Sequence, residues 1–155
     1  MDIDAPRYYT HFSIFLFLFA LVIPKGFLKT ALLLNSILVG VVGNLIVMNN
    51  FEFWSQYETP RKLLTGNFLF HTLPMFLSFI VLFCCPPENG MTSKYLIFLS
   101  AIFLLWSVVP VDGRSMSLKI FDSYRVSAGL LTLITAVLTI STCKSIEYIR
   151  NSSSS

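Results

Sequence analysis

Histidine occurs only twice in the chain, at His11 and His71. His71 belongs to the stretch Gly66-Asn67-Phe68-Leu69-Phe70-His71-Thr72-Leu73-Pro74, near the start of a long apolar run that ends at Cys85. Imidazole changes charge near neutral pH, which makes it a natural general base. An ionisable ring, an amide and a proline inside an apolar run are costly in hydrocarbon and are functional candidates by default. Thr10, next to His11, supplies a hydroxyl. A threonine hydroxyl is a weak nucleophile until a base takes its proton, and a neutral imidazole can do that. Paired, Thr10 and His71 would support acyl transfer or ester hydrolysis, with Asn67 orienting the ring or stabilising an oxyanion. The plainer alternative makes Thr10 an ordinary structural threonine and His71 a packed residue bonded to Asn67 or to a backbone carbonyl.

Other chemistries lack their residues. The sequence has no G-x-S-x-G elbow, no H-E-x-x-H, no paired carboxylates within an apolar run and no Gly-rich phosphate loop. Lysine and arginine are likewise missing from the middle of every apolar run, which argues against a proton-coupled pump or a voltage sensor. No metal and no cofactor is implied. Cys84, Cys85 and Cys143 are an odd set without metal-ligand spacing, so neither a disulfide framework nor a zinc site is expected. They read as small apolar residues, and their position at the ends of apolar runs also makes them candidates for palmitoylation.

The elements that must position these residues are helices in a membrane. The 155 residues are 55% hydrophobic, 15% aromatic and only 12% charged, with a mean hydropathy of +0.73. That balance lies outside the range of a soluble domain. It predicts an all-α protein, a polytopic membrane helix bundle of about five transmembrane helices forming one domain over residues 1–155. Spans are expected at 8–24, 28–48, 63–85, 92–109 and 126–143, with a polar tail at 144–155. The first run is not expected to be a cleaved signal peptide, because two acids precede it and Pro24-Lys25-Gly26 closes it. The net charge of +3 is scattered over the connections, which suits a lipid surface and excludes nucleic acid. Six basic residues on one side against five on the other leave the orientation open.

Within this frame the polar positions acquire faces. On a helix Asn67, His71, Pro74 and Ser78 recur at spacings of four, three and four, one stripe on an otherwise Phe- and Leu-rich cylinder that must face the bundle. Pro74 cannot donate to the Phe70 carbonyl, so an irregularity is expected one turn from His71. Ser36, Gly40 and Gly43 in the second span allow a neighbouring helix to come close. Ala128, Thr132, Thr135, Thr139 and Thr142 line one face of the fifth span and read as packing. Pro86-Pro87-Glu88-Asn89-Gly90 is a turn, and 111–125 is the most charged loop. Asn151-Ser152-Ser153 fits the N-glycosylation pattern but sits close to the last span.

A resemblance follows from the order of these motifs. Tyr8-Tyr9-Thr10-His11-Phe12 is succeeded by Gly40-Val41-Val42-Gly43, then by Thr59-Pro60-Arg61-Lys62-Leu63-Leu64 leading into Asn67 to Pro74, and later by Leu105-Trp106 after a proline-containing turn. From Thr10 to about Thr142 the chain resembles the androgen-induced protein family, multi-pass membrane threonine hydrolases that cleave fatty acid esters of hydroxy fatty acids. The resemblance implies Thr10 as nucleophile and His71 as its base. It also implies a lipid ester as substrate, membrane lipids as surroundings, and residence in the endoplasmic reticulum or plasma membrane. The competing expectation is a non-enzymatic small membrane protein, an assembly subunit or lipid-binding scaffold, in which Asn67, His71 and Ser78 hold helices together.

Overall fold

The computed structural model describes residues 9–49, 51–55, 59–87, 91–108 and 128–152. Most of those residues are helical, with no strand among them. In chain order the helices are α1 (Tyr9–Val22), α2 (Phe27–Asn49), the short α3 (Phe51–Ser55), α4 (Pro60–Asn67), a π-helical turn (Phe68–Thr72), α5 (Leu73–Cys84), α6 (Thr92–Val108) and α7 (Ala128–Ser152). Two compact units divide the chain, one spanning Thr10–Cys85 and the other containing the residues from Pro86 onward.

In the first unit, α1 ends where Pro24 lacks the N–H that would continue it. Ile23 makes the last helical bond, to the Phe19 carbonyl at 3.2 Å, and the Ile23 carbonyl accepts from Lys29 Nζ at 3.2 Å. A cation on the final carbonyls of a helix is favoured by the helix dipole. The next helix opens at once, with the Thr30 N–H on the Gly26 carbonyl. Along α2 every residue from Thr30 to Gly40 is buried. Asn35, fully buried, donates to Ser13 Oγ of α1 at 3.0 Å, a bond between helices formed away from water.

The third apolar segment starts earlier than its hydropathy suggests. Thr59 caps α4 by accepting from the Lys62 N–H, and Pro60 occupies the first turn, where its missing N–H costs nothing. Helix therefore runs without a break in sequence from Pro60 through the π-turn to Cys84. This 25-residue segment and α2, at 23 residues, are long and apolar enough to cross a membrane. The first and fourth apolar segments, within α1 and α6, form shorter apolar helices. On α5 the large residues Phe76, Phe79, Ile80 and Phe83 are exposed while Pro74, Ser78 and Leu82 are buried.

In the second unit α6 packs on α7. Tyr95 and Leu99, four apart, are buried on α6, and Thr139, Thr142 and Ile146 are buried on α7 at spacings of three and four. Part of the expected threonine stripe thus lies on a packing face; the side chains of Thr132 and Thr135 fall outside the described residues. The helix does not stop at Cys143. It continues to Ser152, so most of the polar tail expected at 144–155 is helical and exposed. Of the predicted turn only Pro86 and Pro87 are described, both non-helical, and the charged loop 111–125 lies outside the described residues.

The Ser13 to Asn35 bond is the clearest stability test of this architecture. A double-mutant cycle on Ser13→Ala and Asn35→Leu, followed by unfolding in mixed detergent, is expected to give a coupling of about 0.6 kcal/mol, the average for hydrogen bonds between helices in such cycles.

Candidate functional site

The site is assembled from α2 and the π-turn. Gly40 and Gly43 lie where α2 meets the third apolar segment, and their missing side chains are what permits the approach. A Cβ on Gly40 would overlap Met75 Cβ and come within 2.7 Å of the His71 carbonyl oxygen. A Cβ on Gly43 would overlap the His71 ring at Cγ, Cδ2 and Nε2. The imidazole therefore lies directly against the bare backbone of α2. Small residues at such crossings let backbones come close, and here one of them makes room for a ring.

Around that ring the polar side chains form a chain of hydrogen bonds. Asn44 Nδ2 donates to the Gly40 carbonyl at 2.8 Å. Its Oδ1 accepts from Asn67 Nδ2 at 2.7 Å and from Thr72 Oγ1 at 3.1 Å. Asn67 Oδ1 in turn faces His71 Nδ1 at 2.9 Å. All of these groups are partly buried. His71 thus bonds Asn67, an arrangement shared by the catalytic and the packing readings of the sequence.

The π-turn explains how two adjacent residues both reach α2. In a regular α-helix Thr72 would lie about 140° around the cylinder from Asn67. Here the Leu73 N–H bonds the Phe68 carbonyl, five residues back instead of four. The wider turn places Thr72 one full turn above Asn67, so both point at the same Asn44 oxygen. The irregularity ends just before Pro74, the residue whose missing N–H interrupts the helical ladder. Single π-turns of this kind recur at functional sites in proteins.

The predicted stripe is recovered in a modified form. Asn67 and His71 face α2, and Pro74 and Ser78 are buried, with Ser78 Oγ lacking a hydrogen-bond partner. Thr72 and Asn44 belong to the same network, although the α-helical period does not single out Thr72. Thr10 lies in the first turn of α1, and its side chain and that of His11 fall outside the described residues. Cys84 is exposed, Cys85 is half-buried, and Cys143 is half-buried where its side chain meets Thr92. No group of three or more His, Cys, Asp or Glu side chains able to hold a metal occurs among the described residues.

The two glycines predict distinct outcomes. Gly40→Ala sets a methyl against backbone and Met75 Cβ, which no rotamer change relieves, and is expected to cost about 1–3 kcal/mol of stability. At Gly43→Ala the three atoms nearest the new methyl all belong to the His71 ring, so the helices are expected to hold while the imidazole turns away from Asn67. Unfolding in detergent should rank Gly40→Ala as the less stable variant.

Comparison of the chain with protein-family models, with curated proteins and with solved structures gave no match.

Proposed function

We propose that the chain is a multi-pass membrane protein of about five spans that hydrolyses lipid esters within the bilayer, using Thr10 as nucleophile and His71 as general base. The observation that carries this reading is the series of bonds from the Gly40 carbonyl through Asn44 and Asn67 to His71 Nδ1, which gives the ring a defined orientation. A base held by a third group is the recurring arrangement around activated nucleophiles, and an asparagine serves as that third group in enzymes with a thiol nucleophile. With Nδ1 engaged, proton transfer falls to Nε2. Asn67 donates one amide proton to Asn44 and its oxygen accepts from His71 Nδ1, which supports its role as orienting residue over the oxyanion role.

The membrane setting is supported by the distribution of polarity along α4, the π-turn and α5. Phe68, Leu69, Phe76, Phe79 and Phe83 are exposed, whereas Asn67, His71, Thr72 and Ser78 are turned inward or buried. Apolar outside and polar inside is the order expected of a helix that faces lipid. Thr10 begins the first span, and His71 lies about three turns into the helical segment that starts at Pro60, near its middle. The first and third spans would cross in the same direction, so the end of α1 that carries Thr10 would enter from the same membrane face as Pro60.

In the reaction, the Thr10 hydroxyl attacks the ester carbonyl as its proton passes to His71 Nε2. The leaving alkoxide collects that proton and departs as the hydroxy component, with the acyl group on Thr10 Oγ. Water, deprotonated by the same nitrogen, then releases the fatty acid and restores Thr10. The exposed Phe and Leu surfaces supply affinity for an acyl chain, which suits fatty acid esters of hydroxy fatty acids. The endoplasmic reticulum or the plasma membrane would supply such lipids.

A second reading has its own observation. Gly40, Gly43, Asn44, Asn67 and His71 together lock α2 to the third segment, which is what a non-enzymatic scaffold or assembly subunit would need. Purified protein in detergent, given branched fatty acid esters, separates the two. Release of fatty acid is expected from the native chain, and a fall of about 10²–10⁴-fold in Thr10→Ala and His71→Ala. Folded protein without hydrolysis in any form selects the scaffold.

A further inference from the structure

We infer that Asn44, on the neighbouring helix, is the positioning residue that sets the protonation pattern of His71, holding the neutral ring with its proton on Nδ1 and its lone pair on Nε2. The inference deepens the proposed hydrolase but rests on geometry that stands without it.

The argument starts from the one group in the network whose polarity is beyond choice. The Gly40 carbonyl is an acceptor only, so the end of Asn44 that faces it must be the amino group. The other end of Asn44 is then the carbonyl oxygen, and what meets it must donate. Thr72 does so through its hydroxyl, and Asn67 through its own amino group. The remaining end of Asn67 is consequently its oxygen, and it faces His71 Nδ1. An oxygen acceptor requires that nitrogen to carry a proton. A neutral imidazole has only one proton to place, so Nε2 is unprotonated.

Three hydrogen bonds in series thus carry the polarity of a backbone carbonyl on α2 to an imidazole on the third segment. A general base needs its lone pair on the nitrogen that faces the reaction, and a ring in the other tautomer would present a proton there. Asn44 touches neither the reacting atoms nor the imidazole in this network. Its effect passes through Asn67. Thr72 reinforces the orientation of Asn44, which gives the π-turn a purpose beyond relieving Pro74.

Nitrogen NMR of ¹⁵N-histidine-labelled protein in detergent reads the tautomer directly, at a pH where the ring is neutral, with His11→Gln as background so that one imidazole is observed. In that background His71 is expected to show a protonated Nδ1 and an unprotonated Nε2. Asn44→Leu, close in shape but without polar atoms, is expected to shift the tautomer ratio by about fivefold or more towards a protonated Nε2, the effect of losing one net hydrogen bond. Asn44→Asp as the neutral acid donates its O–H to the Gly40 carbonyl and keeps its other oxygen towards Asn67 and Thr72, and should retain the original signals. A protonated Nε2 in the His11→Gln background, or unchanged signals in Asn44→Leu, overturns the inference. If Asn44→Leu does not fold, the background spectrum still decides. Ester hydrolysis is measured alongside, where Asn44→Leu should lower kcat with little change in KM and Asn44→Asp should recover it. The expected spectra with no hydrolysis in any form would uphold the role of Asn44 and remove the proposed reaction.

Discussion

The rest of the structure depends on how closely α2 approaches the third apolar segment. Two glycines three residues apart remove the side chains that would keep the backbones separate, and an imidazole fills part of the space. Only at that distance can Asn44 reach Asn67 and Thr72 with short side chains. The order of causes matters. Polar residues do not draw these helices together by themselves, because a hydrogen bond between membrane helices contributes little more than the one it replaces. Close packing permits the network, and the network then specifies which residues face one another. An Asn44 without the glycines would find other partners on its own helix.

The same crossing carries a constraint from the proline. Pro74 removes one donor from the helical ladder, and the segment passes through a π-turn immediately before it. A helix that widens by one residue changes the phase of everything beyond it. Before the turn the face towards α2 is marked by Asn67; within it by His71 and Thr72 together; after it by Met75. The exposed aromatic face on α5 is set by this shift as well, so the position of the π-turn decides which phenylalanines would meet lipid.

How far the sequence foretold this differs by level. Helices at the five apolar segments were legible from hydropathy, which averages over about 20 positions and so leaves the ends of a helix imprecise. α2 matches 28–48 within one residue at each end, whereas the third segment begins at Pro60, not at 63, because a cap and a proline start it where composition is still polar. The run to Ser152 was hidden for the complementary reason. Lys144, Glu147 and Arg150 make the tail hydrophilic, but their side chains are compatible with a helix that leaves the apolar region. At the site, Asn67 and His71 were visible as costly residues at helical spacing, and Gly40 and Gly43 as a contact surface. Asn44 stood one residue from that surface, which was the available signal. Thr72 was not legible, because an α-helical wheel puts it on the wrong face and nothing in local composition marks a π-turn.

What distinguishes this polar cluster from ordinary helix glue is its direction. A set of side chains that merely cements two helices needs each donor matched to an acceptor, and several arrangements of the amide ends would satisfy it equally. Here the first partner is a backbone carbonyl, which admits one arrangement, and each successive amide inherits its orientation from the last. The outcome is a histidine with a defined proton position inside a largely apolar unit. Packing gains nothing from that definition, since a ring of either tautomer fills the same volume over Gly43. Proton transfer does gain, because a base that must first change tautomer spends part of its time with the wrong nitrogen presented. The directionality of the relay is therefore the feature of the structure that argues most strongly for chemistry at His71.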